Sequence, residues 1–186
     1  MLQSFEHPSK LLFDEEKIGK LGIINIDLVT FSQGLHWIND VPSFLMSIKN
    51  ILKPNGLFIA NFIGGNSLKK LRTRLIEAEI ASNCVHSPHI SPFIHFDHVN
   101  PLLAQAGFSE FVIDYENIEI EFNSPLELMR EIKNIGESNA LDNTNNYGIS
   151  KQMLEILGKN DGKFCDQIQL ISFIAAPLKN SIKLKI

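Results

Sequence analysis

Four of the six histidines, His86, His89, His95 and His98, crowd into the stretch from Cys84 to His98 together with Asp97. Imidazole and thiolate are good zinc ligands, so a metal site is chemically open there. The spacing fits no compact zinc motif, and the residues are read as binding no metal. A second group is more distinctive. Arg130 lies on a helical stretch that ends in Gly136-Glu137-Ser138-Asn139. Arg130 could pair with an acidic substrate group or fix Glu137. Glu137, Ser138 and Asn139 could hold a target side chain. Helix termination is the plainer alternative, with Gly136 just past the last turn, but termination alone does not require Glu137. A third group is Ser32-Gln33-Gly34-Leu35 followed by His36 and Trp37. His36 has the chemistry of a general base or of a hydrogen-bonding partner for substrate. The alternative has His36 capping backbone groups while Trp37 fills the core.

The elements that must position these groups follow from periodicity. Ile23 to Phe31 is a nearly continuous apolar run, which suits a strand covered on both faces. Ser32, Gln33 and Gly34 then follow its carboxyl end, where ligands of open α/β sheets sit. Val41, Phe44, Leu45, Ile48 and Leu52 fall at helical spacing, with Asp40 as N-cap and Pro42 in the first turn. Lys53-Pro54-Asn55-Gly56 stops that helix and turns the chain into a second buried strand, Leu57 to Phe62. A strand-helix-strand unit of this kind makes a parallel pair with a right-handed crossover.

Gly64-Gly65 ends the second strand, and Leu68, Leu71, Leu75 and Ala78 mark the next helix. Its Lys69, Lys70, Arg72 and Arg74 read as a wet face with no ligand. After a loop from Ser82 to Phe96, a short helix carries Val99, Leu102, Leu103 and Ala106, with Gly107 beyond its end. Phe111 to Tyr115 and Ile118 to Phe122 are strand candidates. Ser124-Pro125-Leu126-Glu127 is a capping box for a helix that buries Leu128, Met129, Ile132 and Ile135. A further short helix spans Met153 to Leu157, and Phe164 to Ala176 holds the last strand. The sum is one α/β domain over 1–186 with about five strands and no repeat or linker.

Composition narrows the function. Hydrophobic residues make up 44%, charged residues 20%, and the net charge is -4. Dispersed Lys and Arg on an acidic chain argue against nucleic acid as a partner. No apolar run approaches the length of a membrane span. The start reads as neither signal nor transit peptide, and Cys84 and Cys165 read as free thiols. Together these predict a cytoplasmic protein. Frequent Asn, Ile and Lys fit a compositionally biased, bacterial genome.

Several stretches, taken in order, resemble one family. Ile26-Asp27-Leu28-Val29 leads into Gly34-Leu35-His36-Trp37-Ile38-Asn39-Asp40, and Leu52-Lys53-Pro54-Asn55-Gly56-Leu57 follows. These resemble the fourth strand, next helix and fifth strand of class I S-adenosylmethionine-dependent methyltransferases. Ser87-Pro88-His89-Ile90-Ser91-Pro92-Phe93, Ala106-Gly107-Phe108, Leu128-Met129-Arg130 and Gly136-Glu137-Ser138-Asn139 are sharper. They are similar to the branch of the mitochondrial complex I assembly factor that modifies an arginine. The malonyl-carrier-protein methyltransferase of the biotin pathway is a more distant relative. The resemblance runs from about Phe13 to Pro177.

That resemblance implies the carboxyl-terminal part of a Rossmann-like sheet of strand order 3-2-1-4-5-7-6 with flanking helices, truncated at the amino end. The family's Gly-rich turn and acidic ribose-binding residue have no counterpart before the first strong strand. The implied cofactor is S-adenosylmethionine, with Ser32, Gln33 and Gly34 beside its methionine portion and Asp14 and Glu15 as acceptors near the adenine. Taken alone, Asp14-Glu15-Glu16 reads as a solvated acidic turn. The resemblance places segment 123–160 over the active-site mouth. His89, Arg130, Ser138 and Asn139 then become substrate contacts, and His36 and Glu137 catalytic candidates. The implied partner is a protein substrate such as a complex I subunit. Without the first strands, the Ile23 to Phe31 strand has an uncovered edge, which invites pairing with another chain. A non-catalytic binding module is the other reading.

Overall fold

A computed structural model describes residues 15–20, 22–82, 93–136, 150–158 and 162–178. Four strands form one sheet in the order β1-β2-β4-β3: β1 (Ile26–Ser32), β2 (Leu52–Ile63), β3 (Glu110–Phe122) and β4 (Phe164–Ala176). β1 and β2 are parallel, while β4 runs antiparallel to both β2 and β3. The helices are α1 (Val41–Ile51), α2 (Lys69–Ser82), α3 (Phe96–Gln105), α4 (Pro125–Asn134) and α5 (Lys151–Leu157), with 3-10 turns at Glu15–Lys20 and Leu35–Trp37.

The predicted β-α-β unit is present, with two corrections. β1 starts at Ile26 rather than Ile23, because Asn25 takes a left-handed φ of 61° that breaks the extended run. Lys53-Pro54-Asn55-Gly56 does not separate α1 from the next strand. It forms an irregularity inside β2, between the pairs Ile26↔Leu52 and Leu28↔Leu57. Gly56 is required there, since a Cβ would stand 2.8 Å from the Ile26 carbonyl oxygen. Among the described residues the strands number four rather than five. Phe111–Tyr115 and Ile118–Phe122 merge into one strand, because β4 pairs with β3 in unbroken register from Glu110↔Ala176 to Phe122↔Phe164.

Two cores lie on opposite faces of this sheet. On one face, α1 and α3 bury Phe44, Leu45, Ile48, Val99 and Leu103 against Phe58, Phe62, Ile171 and Phe173. The Phe58 and Phe173 rings meet edge to face, 5.2 Å between centroids. β3 and β4 continue beyond Ile63, whose partner is Leu170, so their hairpin projects past the carboxyl ends of β1 and β2. On the projecting part, α2, α4 and α5 build a second core from Leu71, Leu75, Leu128, Met153 and Leu157.

The capping signals read from sequence are realised. Asp40 accepts the Ser43 N–H at 3.1 Å at the start of α1. These Ser43 hydrogen bonds hold the Asp40 carboxyl below its ordinary range. A depressed carboxylate stabilises the fold above its unfolded pKa and loses that contribution as pH falls through the folded value, so the cap is complete at neutral pH. Ser124 Oγ accepts the Glu127 N–H at 3.2 Å at the start of α4, and Glu127 reaches back to the Asn123 N–H at 2.7 Å. Gly107 and Gly136 take left-handed φ values of 90° and 83° where helix stops were expected.

The cap of α2 comes from afar. The buried Asp166 on β4 accepts N–H bonds from Leu71 at 2.8 Å and Lys70 at 3.4 Å. Replacing Asp166 with Ala strands these donors in a buried place. We expect a loss of about 1–2 kcal/mol in urea denaturation; an unchanged midpoint would mean that the carboxylate does not anchor α2.

Candidate active-site region

The carboxyl ends of β1 and β2 lie side by side, and their last residues are coupled. Ser32 pairs with Asn61 across the two strands. Asn61 Oδ1 accepts Ser32 Oγ–H at 3.0 Å, the Gln33 N–H at 3.2 Å and Gln33 Nε2–H at 3.1 Å, while its backbone carbonyl takes the Gln33 N–H at 2.9 Å. A backbone N–H can only donate, so the carboxamide must present oxygen here. This clamp holds Gln33 at φ 52°. Left-handed backbone is unfavourable for a residue with a Cβ, and such strain concentrates at ligand sites.

The chain then enters the turn Leu35–Trp37. His36 is the buried member of the His36-Trp37 pair, at 4% exposure, and Trp37 is only half-buried. This reverses the expectation that the indole fills the core. The His36 ring lies 5.1 Å from the Trp37 ring and meets Phe93 edge to face at 5.7 Å. Phe93 in turn carries the Arg72 guanidinium 5.2 Å from its centroid. Burial pushes the Arg72 pKa down, and the negative charge of Asp166 works against that shift.

Lys69, Lys70 and Arg74 are exposed, as expected of a wet face, but Arg72 is partly withdrawn from it. A shallow recess of about 430 Å³ on α2 is lined by Lys70, Arg74, Glu77 and Lys163. Arg74 and Lys163 there are in ion pairs with Glu77 and Glu121, as on an ordinary solvated surface.

Gly65 admits α3 to this end of the sheet. The His95 ring lies where a Gly65 Cβ would be, with Cγ 2.6 Å away, and Gly65 N–H donates to the Ile94 carbonyl at 2.8 Å.

The structure therefore brings Ser32, Gln33, Gly34 and His36 together. Arg130 is exposed on α4, and among the described residues no hydrogen bond or ion pair joins it to that loop. Glu15 opens the first 3-10 turn. Asp14, His89, Glu137, Ser138 and Asn139, with Cys84 and His86, lie outside the described residues. His95 and His98 have rings 6.0 Å apart. Among the described residues, no three His, Cys, Asp or Glu side chains are grouped to hold a metal ion. No described helix is long and apolar enough to cross a membrane.

Asn61, Phe93 and Asp166 were missed as site residues from sequence, and Arg72 was read as part of the wet face. Asn61 had a readable signal, a lone carboxamide in the apolar run Leu57 to Phe62. Phe93 and Asp166 had none, since their partners are far away in the chain.

A parallel pair joined through α1, with an antiparallel strand between it and the outer edge strand, is the 4-5-7-6 portion of the class I methyltransferase sheet, and the chain belongs to that family. A family profile described as a methyltransferase domain matches residues 8–60. A Rickettsia prowazekii (strain Madrid E) protein provisionally named methyltransferase RP459 is 58% identical over the whole chain, which covers 82% of it. The mitochondrial arginine-hydroxylase NDUFAF5 of Danio rerio is 33% identical over 90% of the chain and 54% of its own length. A malonyl-[acyl-carrier protein] O-methyltransferase of Methylovorus sp. (strain MP688) is 30% identical over 76% of the chain and 45% of its own. The chain thus spans about half the length of the latter two. A solved Bacillus halodurans structure, provisionally described as a methyltransferase, shares the fold with a TM-score of 0.51 at 12% identity, covering 86% of this chain and 74% of that one.

S-adenosylmethionine is the cofactor expected of this family. The neutral donors and acceptors of Ser32, Gln33 and Asn61 fit its zwitterionic methionine end. The one carboxylate within β1, Asp27, is at the opposite end of the strand, bound to Lys53 Nζ at 2.7 Å.

Asn61→Leu removes the shared acceptor and keeps the branched side-chain shape, while Asn61→Asp keeps the acceptor. Backbone NMR resonances of Ser32 to Gly34 should shift or broaden in the Leu variant only. Unchanged loop resonances in Asn61→Leu would refute the clamp.

Proposed function

We propose that this chain is a methyltransferase-like protein that carries the methionine-end half of an S-adenosylmethionine site and, alone, binds that cofactor poorly. The observation that carries the reading is the Asn61 clamp on Ser32 and Gln33 at the carboxyl ends of the parallel pair. In this reading Ser32, Gln33 and Gly34 hold the amino-acid end of the cofactor, and Asp14 and Glu15 approach the adenine. When bound, the cofactor would supply an electrophilic methyl group. His36, walled by Trp37 and Phe93, is the proposed base, and Glu137 is the second catalytic candidate. Segment 123–160, of which α4 and α5 are described, would lie over that mouth. The support is that these helices pack on the hairpin projecting past β1 and β2. His89, Arg130, Ser138 and Asn139 would meet the substrate.

The substrate class we favour is an arginine of a protein partner, such as a complex I subunit, by likeness to the arginine-hydroxylase relatives. The chain would act in the cytoplasm of a bacterial cell. The expected site of assembly with another chain is the edge of β1. Among the described residues, β1 pairs only with β2. The opposite edge strand, β3, carries Glu110, Asp114, Glu116, Glu119 and Glu121, which blunt edge-to-edge association. β1 has Asp27 alone, and its Leu28 is 52% exposed.

A second reading, a binding module without catalysis, is favoured by the same edge. Calorimetric titration separates the two. The isolated chain is expected to bind S-adenosylmethionine with a Kd above ~0.1 mM, and micromolar affinity would overturn the impairment. Sedimentation tests the edge. The wild-type chain should self-associate or require a partner, and Leu28→Lys should yield a dispersed monomer. A dilute wild-type monomer that melts cooperatively would remove the case for pairing.

A further inference from the structure

Phe93 stands where the chain passes from one core to the other. Its side chain packs against the core beneath α2, α4 and α5, whereas Ile94 and Phe96 pack against the core beneath α1 and α3. The backbone there is pinned to the end of β2. The Ile94 carbonyl accepts the Gly65 N–H at 2.8 Å, and the His95 ring fills the space beside Gly65. Pinning the backbone does not set the plane of the Phe93 ring. Two groups meet that ring. The Arg72 guanidinium stands over its face, 5.2 Å from the centroid, and the His36 imidazole lies at 87° to it, with 5.7 Å between centroids.

Arg72 is held from the far strand. The start of α2 is fastened to β4, since the Leu68 N–H donates to the Gln167 carbonyl at 2.9 Å and the Leu71 N–H to Asp166 at 2.8 Å. The Arg72 N–H donates to the Leu68 carbonyl at 3.0 Å within the same turn. The side chain is half-buried, and the charge of Asp166 offsets part of the cost of burying it. A guanidinium suits this place better than an ammonium, because it is planar, weakly hydrated and stacks on aromatic faces.

A cation prefers the negative face of an aromatic ring, and paired rings prefer an edge-to-face meeting. Both preferences bear on Phe93. The cation that fixes the plane of this ring therefore also fixes the angle at which the imidazole meets it. Trp37 is the other ring beside His36, but it follows His36 directly in the chain and moves with it. Phe93 is the wall supplied from elsewhere.

We infer that Arg72 is a positioning residue for His36: its guanidinium sets the plane of the Phe93 ring, and that ring sets the plane of the imidazole. The inference rests on the reading of His36 as the base and deepens it. An imidazole accepts a proton along one direction in its own plane, so the plane decides which proton is within reach. The seating of α2 on Asp166 thereby governs a group at the end of β1.

The test uses the full chain with isotope-labelled histidine and reads the ring C–H signals of His36 by NMR, assigned by their loss in His36→Gln. Phe93→Leu removes the ring and should shift them. Arg72→Met removes the charge at similar reach and should shift or broaden them. In the Phe93→Leu background, Arg72→Met should add no further change. Arg72→Lys, which keeps a cation, should restore most of the wild-type position. Signals indifferent to Phe93→Leu or to Arg72→Met would overturn the inference. So would an equal effect of Arg72→Met with and without Phe93, since the charge would then not act through the ring. Should Arg72→Met fail to fold, Arg72→Gln is compared in both backgrounds in the same way. The signals are read without cofactor or substrate. Absence of the coupling thus strikes this inference and leaves the role of His36 standing, whereas a His36 that is dispensable for methyl transfer strikes that role and leaves the coupling standing.

Discussion

The fold depends on where β4 lies. Phe164–Ala176 is hydrogen-bonded on both sides, to β2 and to β3, and it is antiparallel to each. Its alternating residues serve opposite faces. Ile171, Phe173 and Ala175 enter the core beneath α1 and α3, while Phe164 and Ile168 enter the core beneath α2, α4 and α5. Asp166, from the same strand, caps α2. A one-residue slip of β4 would reverse every one of these assignments, so burial on both faces fixes its register.

That placement also shapes the functional end of the sheet. Because β4 continues beyond Ile63, the hairpin and its three helices rise past the carboxyl ends of β1 and β2. The Ser32–His36 loop then faces a wall, and Phe93 touches both sides. It meets His36 edge to face and carries Arg72 on its ring. Within the loop, a strained Gln33 is held by one carboxamide from the neighbouring strand. Local strain maintained by a tertiary contact is the kind of preorganisation that ligand sites use.

The two edges and two faces of the sheet are unequal in a way that bears on partners. β3 is an edge guarded by carboxylates, whereas β1 is guarded by one. Among the described residues, the far side of the hairpin tip is polar, whereas the face of β2, β4 and β3 opposite α1 and α3 is apolar with a polar row across it. Leu28, 52% exposed, belongs both to the β1 edge and to that apolar face.

Much was legible in the sequence because it is local. The caps at Asp40 and Ser124, the stops at Gly107 and Gly136 and the β-α-β unit each depend on residues a few positions apart, where propensity and capping act. The family was legible for the same reason, since its signature stretches are short and ordered. Tertiary structure alone decided the rest. Asp166 caps a helix from 95 residues away, and Asn61 reaches Gln33 across 28. His36 rather than Trp37 is buried because Phe93 packs against the imidazole, and nothing near residue 36 announces Phe93. The irregular Lys53–Gly56 passage could be read only as a turn until β1 supplied its partner. Pairing between distant segments is set by register and by burial on both faces of a sheet, and neither is written in any one stretch of chain.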